Sequence, residues 1–189
     1  MAGLVKNEID LVLARSLKEL SVKQPIEKIT IKEITDKAGV IRPTFYNHFQ
    51  DKYELLEWIV NTELLEPMLP LLLNNMQKEA VLLMLTNIEK DRAFYSHAIR
   101  MDGVVSFSDI AHKCVKELFL KVYKELGNNH KPKYDWLSAD LVSSYYAQSL
   151  CFAVSEWIRK GMVVPPRELA DAYEYVLTHT MEGVLQDLL

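Results

Sequence analysis

Three observations predict an all-α fold of about nine helices. Apolar residues recur with the helical period, as in Val5, Ile9, Val12, Leu13, Leu17 and Leu20, and no convincing stretch alternates as a strand would. Glycine and proline are few and act as punctuation: Gly39, Pro67 and Pro70, Asp102-Gly103, GNNHKPK (127–133) and GMVVPP (161–166). Finally, a chain of 189 residues that is 49% hydrophobic holds enough apolar surface for a sizeable core without crosslinks.

The first helix interleaves Lys6, Glu8, Asp10 and Arg15 with its apolar residues, which excludes a signal-peptide core or a membrane span there. The next begins after Thr30, whose hydroxyl and the Glu33 carboxylate stand at capping-box spacing, and it ends at Gly39. A third, short helix is expected to start at Pro43, where a missing N–H costs little and where proline disfavours helical geometry at Arg42. A fourth begins near Asp51 and runs to the prolines at 67 and 70. After several middle helices, a helix over about 138–160 is apolar nearly all round, with Leu141, Tyr145 and Phe152 on one side and Val142, Tyr146, Leu150, Val154, Trp157 and Ile158 on others. Such a helix needs cover on both flanks. A last long helix carries Leu169, Tyr173, Val176, Leu177, Val184 and Leu188. This divides the chain into a three-helix module over residues 1–50 and a larger helical part over 51–189, connected by the helix from about 51.

Charge follows the same division. Residues 1–60 carry nine cations and nine carboxylates, so the whole net charge of −4 falls on residues 61–189. A neutral module of this kind binds nucleic acid only if its cations share a face. Cys114 and Cys151 have no metal-ligand spacing and read as core thiols in a reducing cytoplasm, with no cofactor expected. Neither a phosphate loop, a nucleophile elbow nor HExxH is found.

Helix, glycine turn and second short helix make a helix-turn-helix pattern. Phe45 and Phe49 share the inner face of the short helix, toward Ile34 and Val40. Its outer face then carries Pro43, Thr44 and Asn47, flanked by Tyr46 and His48, preceded by Arg42 and followed by Lys52. Short hydrogen-bonding groups, an aromatic hydroxyl and cations without an acid suit phosphates and base edges.

The runs TIKEITDKAGV (30–40), TFYNHF (44–49) and DKYELL (51–56) resemble the N-terminal domain of the TetR family of transcriptional regulators, over about residues 8–60. The family usually has Ser or Thr where this chain has Ile41. The resemblance implies a homodimer that binds a palindromic double-stranded operator and answers to a small-molecule effector or a partner protein, with no membrane role. It assigns Arg42 to a base, with Pro43, Tyr46 and Asn47 beside it, and Thr44, His48, Lys52 and Thr30 to phosphates. For His48 the alternative is a neutral ring hydrogen-bonded on the helix. The last two long helices would form a four-helix-bundle dimer contact through Tyr145, Phe152, Val176 and Val184. Tyr95, His97, Arg100 and Phe107 are candidate effector residues, although the preferred reading leaves Tyr95 in the core and His97 and Arg100 on the surface. The run from Thr44 to Ile59, with Pro166, Glu168, Leu169 and Ala170, is similar to the branch that includes the dihydroxyacetone kinase operon regulator, which implies a protein partner and a sensor that needs no pocket. A helical interaction module without DNA binding, and an all-helical enzyme, are the competing readings.

Overall fold

The computed structural model describes residues 8–103, 105–127 and 134–189, so Val5 and positions 128–133 of the expected loop lie outside the described residues. Among the described residues every regular element is helical. The N-terminal module consists of α1 (Glu8–Ser21), α2 (Ile31–Ala38) and α3 (Arg42–His48), with a 3₁₀ turn at Ile26–Lys28. Leu13, Ala14 and Leu17 from α1, Ile26, Ile29, Ile34 and Phe45 form its interior. The Phe45 ring lies 5.9 Å from that of Phe49, which meets the edge of Trp58 at 6.2 Å. This aromatic row ties α3 to α4 (Lys52–Ile59), whose start is capped by the Asp51 carboxylate accepting from the amides of Tyr53 and Glu54 at 2.7 and 2.9 Å.

The prolines at 67 and 70 do not end the helical path, contrary to expectation. From α4 the backbone runs through a π turn at Val60–Leu65 and a 3₁₀ turn at Glu66–Met68 into α5 (Leu69–Leu73). A proline at 67 has no N–H to give the carbonyl four residues back, at Glu63, and its ring crowds that carbonyl. The wider turn relieves the conflict: the Glu66 amide reaches back five residues to Asn61, and the Glu63 carbonyl accepts instead from the Asn87 side-chain amide at 3.1 Å.

The remaining helices are α6 (Gln77–Lys90), α7 (Arg92–Ala98), α8 (Phe107–Glu125), α9 (Ala139–Arg159), α10 (Pro166–Thr178) and α11 (Met181–Gln186). Helices α8 and α9 lie along each other, and α10 packs on α6. The expected last long helix is therefore two. At His179 the backbone is extended (φ −109°, ψ 153°), and the Thr180 hydroxyl caps a new helix by accepting from the Gly183 amide at 3.2 Å. The helix at 139–159 is also less uniform than its composition suggests. Ser143, Ala147, Leu150, Trp157 and Ile158 are buried, whereas Tyr145 and Phe152 are 68% and 66% exposed.

Polar contacts join the N-terminal module to the larger part. The Lys18 ammonium on α1 bonds both Glu63 carboxylate oxygens, at 2.8 and 3.0 Å, and also the Asp91 carboxylate. Burial pulls the Lys18 pKa down, but the Asp91 and Glu63 carboxylates outweigh it and hold the amine above its ordinary 10.5. Nearby, the Glu27 carboxylate accepts from the Asp102 amide at 2.8 Å.

Candidate nucleic-acid interface

The turn between α2 and α3 is built as its residues require. Thr30 and Glu33 form a reciprocal capping box at the start of α2: the Thr30 hydroxyl accepts from the Glu33 amide at 3.2 Å, and the Glu33 carboxylate accepts from the Thr30 amide at 2.8 Å. Hydrogen bonds from the Thr30 amide first, then from Gln24 and the Thr30 hydroxyl, hold the Glu33 carboxyl down at about 2. At the other end Gly39 is left-handed (φ 69°), and the Val40 amide closes onto the Thr35 carbonyl at 3.0 Å. A Cβ at Gly39 would meet nothing within 4 Å, so the requirement is conformational and not one of space.

Helix α3 begins one residue before the expected Pro43. Ile41 is the extended N-cap, without a side-chain cap, and Arg42 is the first helical residue. Amides of the first turn have no intrahelical acceptor, so proline costs as little at the second position as at the first, and the Thr44 amide closes the turn onto the Ile41 carbonyl at 2.9 Å. With Phe45 and Phe49 buried, the opposite face presents Arg42, Pro43, Tyr46 and Asn47 to solvent and leaves Thr44 half-buried. Arg42 and Tyr46 form a unit: the guanidinium donates to the Tyr46 hydroxyl at 3.3 Å and stands 6.0 Å from its ring. Ile41, 68% exposed at the same end, adds an apolar side chain beside this face.

Two side chains assigned to phosphates have structural partners as well. Lys52 donates to the Glu27 and Ile29 carbonyls at 2.7 and 2.8 Å, closing the 3₁₀ turn against α4. Burial lowers its pKa, against the opposing pull of Glu27, Asp51 and Glu33. An ammonium has three donors, so one remains for an anion. His48 Nδ1 lies 2.7 Å from the Asp10 carboxylate on α1, a partner 38 residues away that no local pattern announces.

The expected effector residues do not gather into a site. Tyr95 and Phe107 are core residues that line only a void of about 40 Å³, whereas His97 and Arg100 are exposed. Burial raises the Tyr95 phenol well above its ordinary range, and its hydroxyl has no hydrogen-bond partner. A much larger cavity, about 770 Å³, opens elsewhere, between α5, α6, α8, α9 and α10. Leu72, Val81, Phe119, Val142, Tyr146 and Tyr173 line it, and at its rim Lys78 bridges Asp171 and Glu174 at 2.6 and 3.2 Å. Its size and apolar lining are those of a small-molecule site. Sequence periodicity marked Val142, Tyr146 and Tyr173 only as apolar, because a cavity is a property of how helices diverge.

A helix-turn-helix module whose α3 outer face carries no carboxylate, joined by one continuous helical path to an all-helical part containing a cavity, has the architecture of a transcriptional regulator. Comparison with known proteins agrees. Residues 16–59 match the model of bacterial regulatory proteins of the tetR family, and residues 75–179, more than half the chain, match that of a transcriptional regulator C-terminal region. The chain belongs to the TetR family of transcriptional regulators and is not an enzyme. It is 25% identical over 163 residues, 79% of each protein, to the HTH-type dhaKLM operon transcriptional activator DhaS of Lactococcus lactis subsp. lactis (strain IL1403). A solved structure of the dihydroxyacetone kinase operon activator DhaS superposes with a TM-score of 0.54 at 23% identity, covering 90% of this chain and 92% of that one. NalD, the secondary repressor of the MexAB-OprM multidrug efflux pump in Pseudomonas aeruginosa, shares the fold with a TM-score of 0.59 at 16% identity, covering 90% and 94%. No helix among the described residues is long and apolar enough to cross a membrane.

Proposed function

We propose that the chain acts as a homodimer that seats its two α3 helices in successive major grooves of an inverted-repeat operator in the cytoplasm, under the control of an effector bound at the 770 Å³ cavity. The observation that carries this reading is the α3 face: Phe45 and Phe49 lock one side into the core, and the opposite side offers Arg42, Pro43, Tyr46 and Asn47 without a carboxylate. The Arg42 fork suits the O6 and N7 acceptors of guanine, and the Pro43 ring suits a thymine methyl. Thr30, Thr44, His48 and Lys52 supply phosphate contacts around it. The dimer contact is the exposed flank of α9 with Tyr145 and Phe152, continued by Val176 on α10 and Val184 on α11.

The relative named as an activator and the fold neighbour named as a repressor share this architecture, so the fold does not fix the sign of control. Selection of bound duplexes from random DNA, followed by gel shifts, tests the reading. The expected result is an inverted repeat bound by two chains, with Phe152→Glu giving monomers that shift it poorly. A monomeric wild type at micromolar concentration, or selected sequences without two-fold symmetry, would sink it.

A further inference from the structure

We infer that Asp10 makes DNA binding take up a proton, by dictating which nitrogen of His48 can face a phosphate. The inference rests on the DNA-binding reading above. Asp10 and His48 lie 2.7 Å apart in a part-buried contact between α1 and α3, with 11% and 21% of their side chains exposed. An ionised carboxylate only accepts, so Nδ1 must be the donor in this contact. In a neutral imidazole the other nitrogen, Nε2, then carries a lone pair and no hydrogen. A lone pair repels a phosphate oxygen, so His48 contacts the backbone only as the imidazolium, with Nδ1–H to Asp10 and Nε2–H to the phosphate. The bond made is Nε2–H, the proton comes from solvent, and the charge is shared between two anions.

The ionisable groups of α2, of the start of α4 and of the rest of α3 have other partners. On α2 Lys37 pairs with Glu19 of α1, Lys32 pairs with Asp36, and Glu33 serves the capping box. At the start of α4 Lys52 is held by two carbonyls, while Asp51 and Glu54 accept from the backbone amides of residues 53 and 54 and of Gln50. Glu27 is bonded to the Asp102 amide, and on α3 itself Arg42 is turned toward Tyr46. Among the described residues, Asp10 is the carboxylate within hydrogen-bond distance of the ring.

Asparagine at position 10 removes the constraint. Its side-chain amide can donate to Nδ1, which frees a neutral His48 to present Nε2–H to the phosphate. The test is calorimetry of the full chain binding its selected duplex in buffers of different ionisation enthalpy, with affinity followed from pH 6 to 8, the range in which histidines as a class change charge. The expected result for the wild type is an uptake of up to one proton per subunit and an affinity that falls as pH rises, by up to about tenfold per pH unit per subunit. Asp10→Asn should bind at pH 8 with little or no uptake, and His48→Gln should bind more weakly with none. A purely structural pairing would lower thermal stability in both variants without changing the proton count. Wild-type binding without uptake overturns the inference, and so does uptake that persists in His48→Gln or is undiminished in Asp10→Asn. Failure of the wild type to select any duplex overturns the DNA-binding reading beneath it.

Discussion

Two of the three donors on the Lys52 ammonium are taken by the Glu27 and Ile29 carbonyls, so this residue serves fold and affinity together. Lys52→Ala should lower stability by on the order of 1 kcal/mol, since two carbonyls lose their partner. It should also weaken binding to all sequences alike and reduce the salt slope by about one. Arg42 is exposed, and among the described residues its side chain bonds Tyr46 alone, so Arg42→Ala should leave the melting temperature unchanged. Its cost, about 1–3 kcal/mol, should appear at one base position. Melting curves and an operator-variant panel separate the two, and mutants that behave alike in both would contradict the division of roles. Glu33 gives a pH test at the same scale. Its carboxyl is held at about 2 in the folded chain against an ordinary 4.5, so its stabilising effect is present above pH 4.5 and is lost as pH falls toward 2. Glu33→Gln should therefore melt earlier than wild type at pH 7, and the difference should shrink as pH falls below 4.5 and close only below about pH 2. A gap that stays constant across that range would exclude the charged capping box as its cause.

Between Lys52 and Leu73 the chain keeps a helical course past two prolines: the Asn87 amide serves the Glu63 carbonyl that Pro67 cannot, and Pro70 lies in the first turn of α5. Asn87→Ala removes this donor from the half-buried carbonyl and should cost about 1 kcal/mol. Adding Pro67→Ala should recover much of the loss, since an N–H at position 67 can serve Glu63 directly. Chemical denaturation of the two variants checks this, and no rescue in the double mutant would show that the carbonyl is not the seat of the effect. The same segment shows what was legible in the sequence. Local rules gave the capping box at Thr30 and Glu33, the left-handed Gly39, and the inward Phe45 and Phe49, because each depends on neighbours within one or two turns. Pro67 was misread as a break because its compensation comes from Asn87, 24 residues from Glu63 in sequence, and Pro70 because it falls in the first turn of α5, where a missing amide costs little. The His48 contact with Asp10 and the cavity around Tyr146 and Tyr173 were hidden for the same reason: they exist only once distant helices have packed. The break at His179 and Thr180 was signalled by a capping threonine that the apolar rhythm of 169–188 masked.

At the scale of the whole molecule, the proposed function requires an effector in the cavity to act on the distance between the two α3 helices of a dimer. Two recognition helices related by a two-fold axis reach successive major grooves only when their centres are about 34–36 Å apart. Within each chain α3 is fixed to α4 by the Phe45, Phe49 and Trp58 rings, and α4 runs without interruption into α5, whose Leu72 lines the cavity. The Lys18 contacts with Glu63 and Asp91 and the Glu27 contact with Asp102 hold the module against that path. A ligand that prefers one tilt of α4 and α5 therefore changes operator affinity by reciprocal coupling, typically about 1–3 kcal/mol, without touching DNA. The geometry makes a prediction about the operator itself. Half-sites should be centred about 10 base pairs apart for one dimer, and inserting five base pairs rotates one half-site to the opposite face of the duplex. Affinity should then fall to that of a single half-site, whereas a ten-base-pair insertion restores the facing without restoring the reach of one dimer. Gel shifts on the three spacings are the measurement. Equal affinity for all of them would mean that the two α3 helices are not held at a fixed distance, and the path from cavity to α3 would then have nothing to adjust.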